Sequence, residues 1–186
     1  MAGVRQFDEE QVLVDALALF WKKGFVGTSM QELAAATGVQ RGSLYNAYGG
    51  KEALFIAAYR RYLAKYMQGI KKALAQPQLK DALAAMFDFS INLIRTDRRG
   101  CLTTKTATSE SATPAIQEAL RAQMDTLKAC ITERLMQSPQ ELALPVADAA
   151  LLLLTHTRGI VVMERLYDDP EQLRDSAKAL VQLLVK

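Results

Sequence analysis

Thr28-Ser29-Met30-Gln31-Glu32-Leu33-Ala34-Ala35-Ala36-Thr37-Gly38-Val39-Gln40-Arg41-Gly42-Ser43-Leu44-Tyr45 reads as a helix, a tight turn and a second helix. Ser29 and Glu32 have the spacing of a capping box, in which each satisfies an otherwise orphaned N–H at the helix start. Leu33 and Ala36 are expected to face inward, and Ala34, Ala35 and Ala36 are small enough to let another helix approach. Gly38 falls where a left-handed residue ends a helix without a steric penalty. Val39 follows as the apolar pin between the two helices. In the second helix Leu44 points to the core, while Arg41, Ser43, Tyr45 and Asn46 supply polar and aromatic tips. A solvated helical hairpin would share the turn. The conjunction of cap, small residues, glycine and polar second helix instead predicts a helix-turn-helix, which lays one short helix in the major groove of DNA.

Outward from this stretch the pattern stays helical. Upstream, a helix is expected from Asp8 to Lys23, with acids at its start and Leu13, Ala16, Leu17 and Phe20 as its buried stripe. Phe25 and Val26 are expected to plug the small core, with Trp21 packed beside them. Downstream, Lys51 to about Ala75 reads as a long helix bearing Leu54, Phe55, Ala58, Tyr62, Tyr66 and Ile70. Helices from about Leu79 to Thr96, Pro114 to Gln137, Val146 to Tyr167 and Pro170 to Val185 follow, with a short segment from Cys101 to Ser111 among them. The Val146–Tyr167 helix is apolar nearly all round and needs cover on more than one side, one of which a second subunit can supply. The expected fold is all-α, with a helix-turn-helix domain over residues 1–50 and a helical regulatory and dimerisation domain over residues 51–186.

Composition narrows the function classes. Half of the 186 residues are hydrophobic and the net charge is +3. Residues 1–75 hold 10 Lys and Arg against 6 Asp and Glu, and the remainder 13 against 14. The basic share thus accompanies the helix-turn-helix, as phosphate contact requires. No uninterrupted apolar run approaches the ~20 residues of a membrane span, and the first residues lack the apolar core of a signal peptide. A cytoplasmic protein without membrane attachment is expected. Cys101 and Cys130 suit a reducing compartment and lack metal-ligand spacing, so no metal and no cofactor are expected. A helical enzyme would need a nucleophile–base pair, a phosphate loop or a metal cluster, and none is visible. An interaction module that has lost DNA binding is the other alternative.

The motifs resemble the TetR family of bacterial repressors. The resemblance rests on Ala16-Leu17-Ala18-Leu19-Phe20, Gly24-Phe25, Thr28-Ser29-Met30, Gly38-Val39-Gln40-Arg41-Gly42-Ser43-Leu44-Tyr45 and Lys51-Glu52-Ala53-Leu54-Phe55. It covers roughly the first third of the chain. It implies a three-helix DNA-reading domain and a larger C-terminal domain that binds a small ligand and dimerises through its last two long helices. The family pattern continues after Leu44-Tyr45 with histidine and phenylalanine, where this chain has Ala47 and Tyr48. Ala47 lacks a phosphate-contacting group, whereas Tyr48 keeps the aromatic plug and adds a hydroxyl.

On a dimer, two recognition helices would enter major grooves about 34–36 Å apart on a palindromic operator. Arg41 is the expected base reader, its guanidinium gripping guanine O6 and N7. Gln40 is placed to read adenine or brace a phosphate, and Tyr45 to lie along the backbone or on a thymine methyl. Thr28, Ser43, Tyr48 and Lys51 are assigned to phosphate contact, with Ser29, Gly42 and Asn46 completing the expected DNA-binding set. Arg5 is either a minor-groove arm or a solvated terminal arginine. Gly100-Cys101-Leu102-Thr103-Thr104-Lys105 resembles the Gly-Cys-Leu segment of NemR-like repressors, which respond to electrophiles and oxidants. Cys101, with Arg98, Arg99 and Lys105 close in sequence, is therefore a sensor candidate, its alternative being a small packing residue at a helix start. Cys130 and His156 are expected to be packing residues. Phe87, Phe89, Met86, Met124 and Met163 fit either an effector cavity or ordinary core.

Overall fold

A computed structural model describes residues 7–96, 100–109 and 112–186. These residues form α1 (Glu9–Lys23), α2 (Met30–Thr37), α3 (Arg41–Tyr48), α4 (Lys51–Leu74), α5 (Leu79–Thr96), α6 (Leu102–Ala107), α7 (Pro114–Met136), α8 (Val146–Tyr167) and α9 (Pro170–Leu184). Among the described residues there is no strand, and an isolated bridge pairs Leu142 with Val185. The expected all-α class and the order of its helices are found. Arg5, Arg98 and Arg99 lie outside the described residues.

The chain divides into two compact units, residues 1–64 with 105–120, and residues 65–104 with 121–186. The first holds α1, α2 and α3. Asp8 caps α1 by accepting from the amides of Glu10 and Gln11. The buried stripe of α1 is Val12, Ala16, Leu17, Phe20 and Trp21. Val12 thus replaces the expected Leu13, which is only partly buried. A cluster of rings fills this core. Phe20 meets Phe55 edge-on at 5.1 Å, Phe25 meets Phe55 at 5.6 Å, and Trp21 meets Tyr62 at 4.9 Å. Edge-to-face geometry aligns the positive rim of one ring with the negative face of the next. Phe25 therefore plugs the core as expected, but Val26 is 64% exposed and does not. Lys105 ties α6 into this unit by donating to the Trp21 carbonyl at 2.8 Å.

The second unit packs α5 against α8 and α9. Its core includes Leu83, Met86, Phe87, Ile91, Leu127, Ile131, Leu153, Ile160 and Val181. The end of α4 is held by Arg134, whose Nε donates to the Leu74 carbonyl and whose Nη2 donates to those of Gln76 and Pro77. The Leu74 carbonyl is one that the end of a helix leaves without an intrahelical donor, and those of Gln76 and Pro77 lie in the connection to α5. At Gly69 a Cβ would lie 2.0 Å from the Phe89 ring, so only glycine admits that ring beside α4. The 22-residue α8 is long and apolar enough, by length and composition, to cross a membrane. In this fold it is partly buried against α5 and α9, and it carries Asp148, Arg158, Glu164 and Arg165.

Candidate nucleic-acid interface

Two short helices and their caps set the interface. The Ser29 hydroxyl accepts from the Glu32 amide at 3.2 Å, and the Glu32 carboxylate accepts from the Ser29 amide at 2.9 Å. The expected capping box is therefore formed. Lys23 adds an ion pair to Glu32. The Lys23 hydrogen bond, followed by the backbone and side-chain bonds from Ser29, lowers the Glu32 carboxyl to about 2. At the other end of α2, Gly38 has φ 68°, the left-handed value its position requires. Leu33 is fully buried with Met30 one turn before it, but Ala36 is exposed, so the covered face of this eight-residue helix runs through Met30 and Leu33.

Leu44 anchors α3 with no exposed surface, and the rest of the helix turns outward. Gln40, Arg41, Gly42, Ser43, Tyr45 and Asn46 are all exposed. Arg41 lies over the Tyr45 ring with its guanidinium carbon 5.5 Å from the centroid. Arginine stacking of this kind orders the guanidinium without using up its N–H donors on a carboxylate. One continuous surface therefore carries a forked cation, two amides, two hydroxyls and an aromatic ring.

The other assigned residues are used inside the unit. Thr28 is 1% exposed and donates its hydroxyl to the Gly24 carbonyl at 2.7 Å. Lys51 donates to the Phe25 carbonyl at 2.9 Å, with its ammonium 4.4 Å from the Phe25 ring centroid. Both residues brace the loop between α1 and α2, a role their positions in the sequence do not disclose. Tyr48 and Ala47 are partly buried at the end of α3, and Gly49 ends the helix with φ 84°.

The second unit holds the cysteines, both free and both partly buried. Cys101 stands immediately before α6. Lys105, close in sequence, is spent on Trp21, whereas Arg158 from α8 brings Nη1 to 3.8 Å from the Cys101 Sγ. Fifty-seven residues separate the two, so no spacing rule could have paired them. Burial pushes the Cys130 thiol up, against the pull of the Lys71 charge. His156 meets Phe87 edge-on at 5.3 Å and lies 3.4 Å from the Ser176 hydroxyl. Burial lowers its pKa from the ordinary 6.5. Met86 and Phe87 are core, Met124 and Phe89 are partly buried, and Met163 is 41% exposed. Among the described residues, no group of three or more His, Cys, Asp or Glu is gathered to hold a metal.

Residues 12–58 match the family model for bacterial regulatory proteins of the tetR family. The HTH-type transcriptional regulator YezE of Bacillus subtilis is 34% identical over 100 residues, 53% of this chain. The HTH-type transcriptional repressor ComR of Escherichia coli is 38% identical over 60 residues, 32% of this chain. The matched stretches span about half of the first relative, 52%, and 29% of the second. Similarity to solved structures extends over the whole chain. A cysteine mutant of the TetR family transcriptional regulator CifR, complexed with 26-base-pair double-strand operator DNA, has a TM-score of 0.83 at 26% identity. That likeness covers 97% of this chain and 98% of the other. The reduced form of Escherichia coli NemR shares the fold with a TM-score of 0.84 at 22% identity, covering 95% and 96%. The family match falls on the stretch that builds the capped α2, the glycine turn and the outward face of α3, and the helices after it share the fold of whole TetR regulators, so the chain carries a tetR-family DNA-binding domain over residues 12–58 within a TetR-regulator fold.

Proposed function

We propose that this chain is a cytoplasmic, non-enzymatic repressor that binds a palindromic operator as a homodimer and is released by a small-molecule or thiol-reactive signal. The observation that carries the reading is the outward face of α3, where Gln40, Arg41, Ser43, Tyr45 and Asn46 are exposed while Leu44 alone is buried. Arg41 reads guanine through its fork, Gln40 an adjacent adenine or phosphate, and Tyr45 a thymine methyl or the backbone. Ser29, Gly42, Ser43 and Asn46 position the helix on phosphates, whereas the Tyr48 hydroxyl, expected from the sequence to join them, is buried and faces away from solvent. Thr28 and Lys51 contribute chiefly by bracing the loop that sets the angle of α2, and a direct phosphate contact from either exchanges an internal bond for an external one. CifR, the structural relative solved on its operator, supports the DNA-binding reading. Exposed apolar side chains on α8 and α9 support the dimer. They are Leu151, Leu152, Val162, Met163, Leu166, Tyr167 and Leu183.

The signal is received in the second unit, where Cys101 faces Arg158. Its modification biases the dimer toward a form whose recognition helices no longer match successive grooves. Footprinting of purified protein on the DNA flanking its own gene tests this reading. A protected palindrome is expected, lost on treatment with a mild oxidant or a thiol-reactive electrophile and retained in Cys101→Ser. Equal affinity for all DNA at physiological salt overturns the repressor. Release in both proteins, or in neither, overturns the cysteine as sensor and leaves a non-covalent effector.

A further inference from the structure

Among the described residues, Arg158 is held by neutral groups and not by a carboxylate. Its Nε donates to the Thr157 hydroxyl at 3.2 Å, and that hydroxyl donates in turn to the Leu154 carbonyl at 2.6 Å. Its Nη1 points at the Cys101 sulfur, 3.8 Å away. The guanidinium also lies close enough to the Tyr66 hydroxyl for its charge to act on it. Ser90 spends its proton on the Met86 carbonyl at 2.9 Å, so at 3.5 Å the Tyr66 hydroxyl is the donor to the Ser90 oxygen. Burial pushes the Tyr66 phenol up despite the Arg158 charge, so this ring stays neutral. Each relay thus presents the guanidinium with a neutral hydroxyl and ends on a backbone carbonyl. No carboxylate among the described residues makes an ion pair with Arg158. Partly buried cations are ordinarily paired, because desolvation without a counter-charge is costly. The five N–H donors of a guanidinium exceed these three neighbours, and their fork matches a carboxylate.

We infer that Cys101, Arg158, Tyr66 and Ser90 form a site for electrophiles that carry a carboxylate, with Arg158 seating the carboxylate and the Cys101 sulfur attacking an electrophilic carbon α or β to it. The site gives the thiol-reactive signal proposed above a chemical class, and it rests on that reading. The same nitrogen that faces the sulfur is available to the anion, so seating the acid brings its reactive carbon within reach of Sγ. For an α,β-unsaturated acid, the sulfur forms a bond to the β-carbon as its thiol proton passes to water. The π pair moves to the α-carbon, which takes a proton from water. The elements of S–H have then added across the double bond, and no oxidant or reductant is consumed.

The probes are iodoacetate and iodoacetamide, which differ in charge but undergo the same substitution, with the S–C bond forming as iodide leaves. Rates at Cys101 are followed by peptide mass spectrometry on the full chain, with 2-mercaptoethanol as the free-thiol reference. The iodoacetate-to-iodoacetamide rate ratio at Cys101 is expected to exceed the reference ratio about tenfold. Arg158→Met should return it to the reference, and Arg158→Lys should keep part of the excess. Propionate should slow the iodoacetate reaction at Cys101 in the unaltered protein, a measurement that does not depend on either variant folding. A ratio equal to the reference, an excess that survives Arg158→Met in a folded protein, or indifference to propionate overturns the site. These rates are read without DNA, so failure of operator binding and failure of the anion site are separate results.

Discussion

Arg41 divides the labour of the interface at the scale of one residue. Its guanidinium is exposed and stacked on Tyr45 rather than paired with an acid, so its donors remain available to a base edge. Substituting alanine is expected to cost about 1–3 kcal/mol per half-site and to relax selectivity at one base position. Competition binding against a panel of single-base operator variants reads both effects, and a uniform loss over all variants would assign Arg41 to phosphate instead. Thr28 and Lys51 show why residue type alone is a poor guide to such roles. A threonine and a lysine beside a recognition helix look like phosphate ligands in sequence, yet one donates to Gly24 and the other to Phe25. Their internal acceptors are backbone carbonyls, which every residue possesses and no sequence pattern marks. Cys101 makes the same point in reverse. Neighbours in sequence suggested Arg98, Arg99 and Lys105 as its cations; the first two lie outside the described residues, Lys105 is used on Trp21, and the fold supplies Arg158 from a helix more than fifty residues away.

Helix α2 is the element whose stability controls the presentation of α3. Its boundaries were legible because caps are local chemistry, with Ser29, Glu32 and Gly38 acting within a few residues of themselves. Its buried face was only half legible. Leu33 faces the core while Ala36 does not, since on so short a helix the crossing with α1 and α3, rather than periodicity, decides which side is covered. The cap makes a pH prediction. Glu32 titrates near 2 in the folded protein against an ordinary 4.5, so its contribution is present above about 4.5 and is lost as pH falls through that value toward 2. Thermal melts over this range should show a decline that Glu32→Gln removes. Ser29→Ala should cost about 1 kcal/mol at neutral pH through the lost cap. If the acid decline were unchanged in Glu32→Gln, the capping carboxylate would not be its source.

For the whole molecule, the decisive feature is apolar surface left uncovered. Leu151, Leu152, Leu166, Tyr167 and Leu183 are each more than 40% exposed on α8 and α9. An exposed set of this kind marks an interaction surface. If the proposed homodimer forms through this surface, Leu166→Glu is expected to give a monomer in analytical ultracentrifugation and to weaken operator binding with it. A dimer that persists unchanged would move the interface off Leu166. By itself, the sequence determined the all-helical class, the span of α5 and α8, the capping box, the glycine turn and the tetR-type DNA-binding domain. All of these rest on interactions within a few residues of one another, or on a periodicity that a linear pattern records. Only the tertiary structure decided which exposed groups of α3 are free, that Thr28 and Lys51 are braces, and that Arg158 meets Cys101 within a set of neutral hydroxyls. Those outcomes depend on which elements pack together, because a hydrogen bond between distant segments leaves no trace in the spacing of either one.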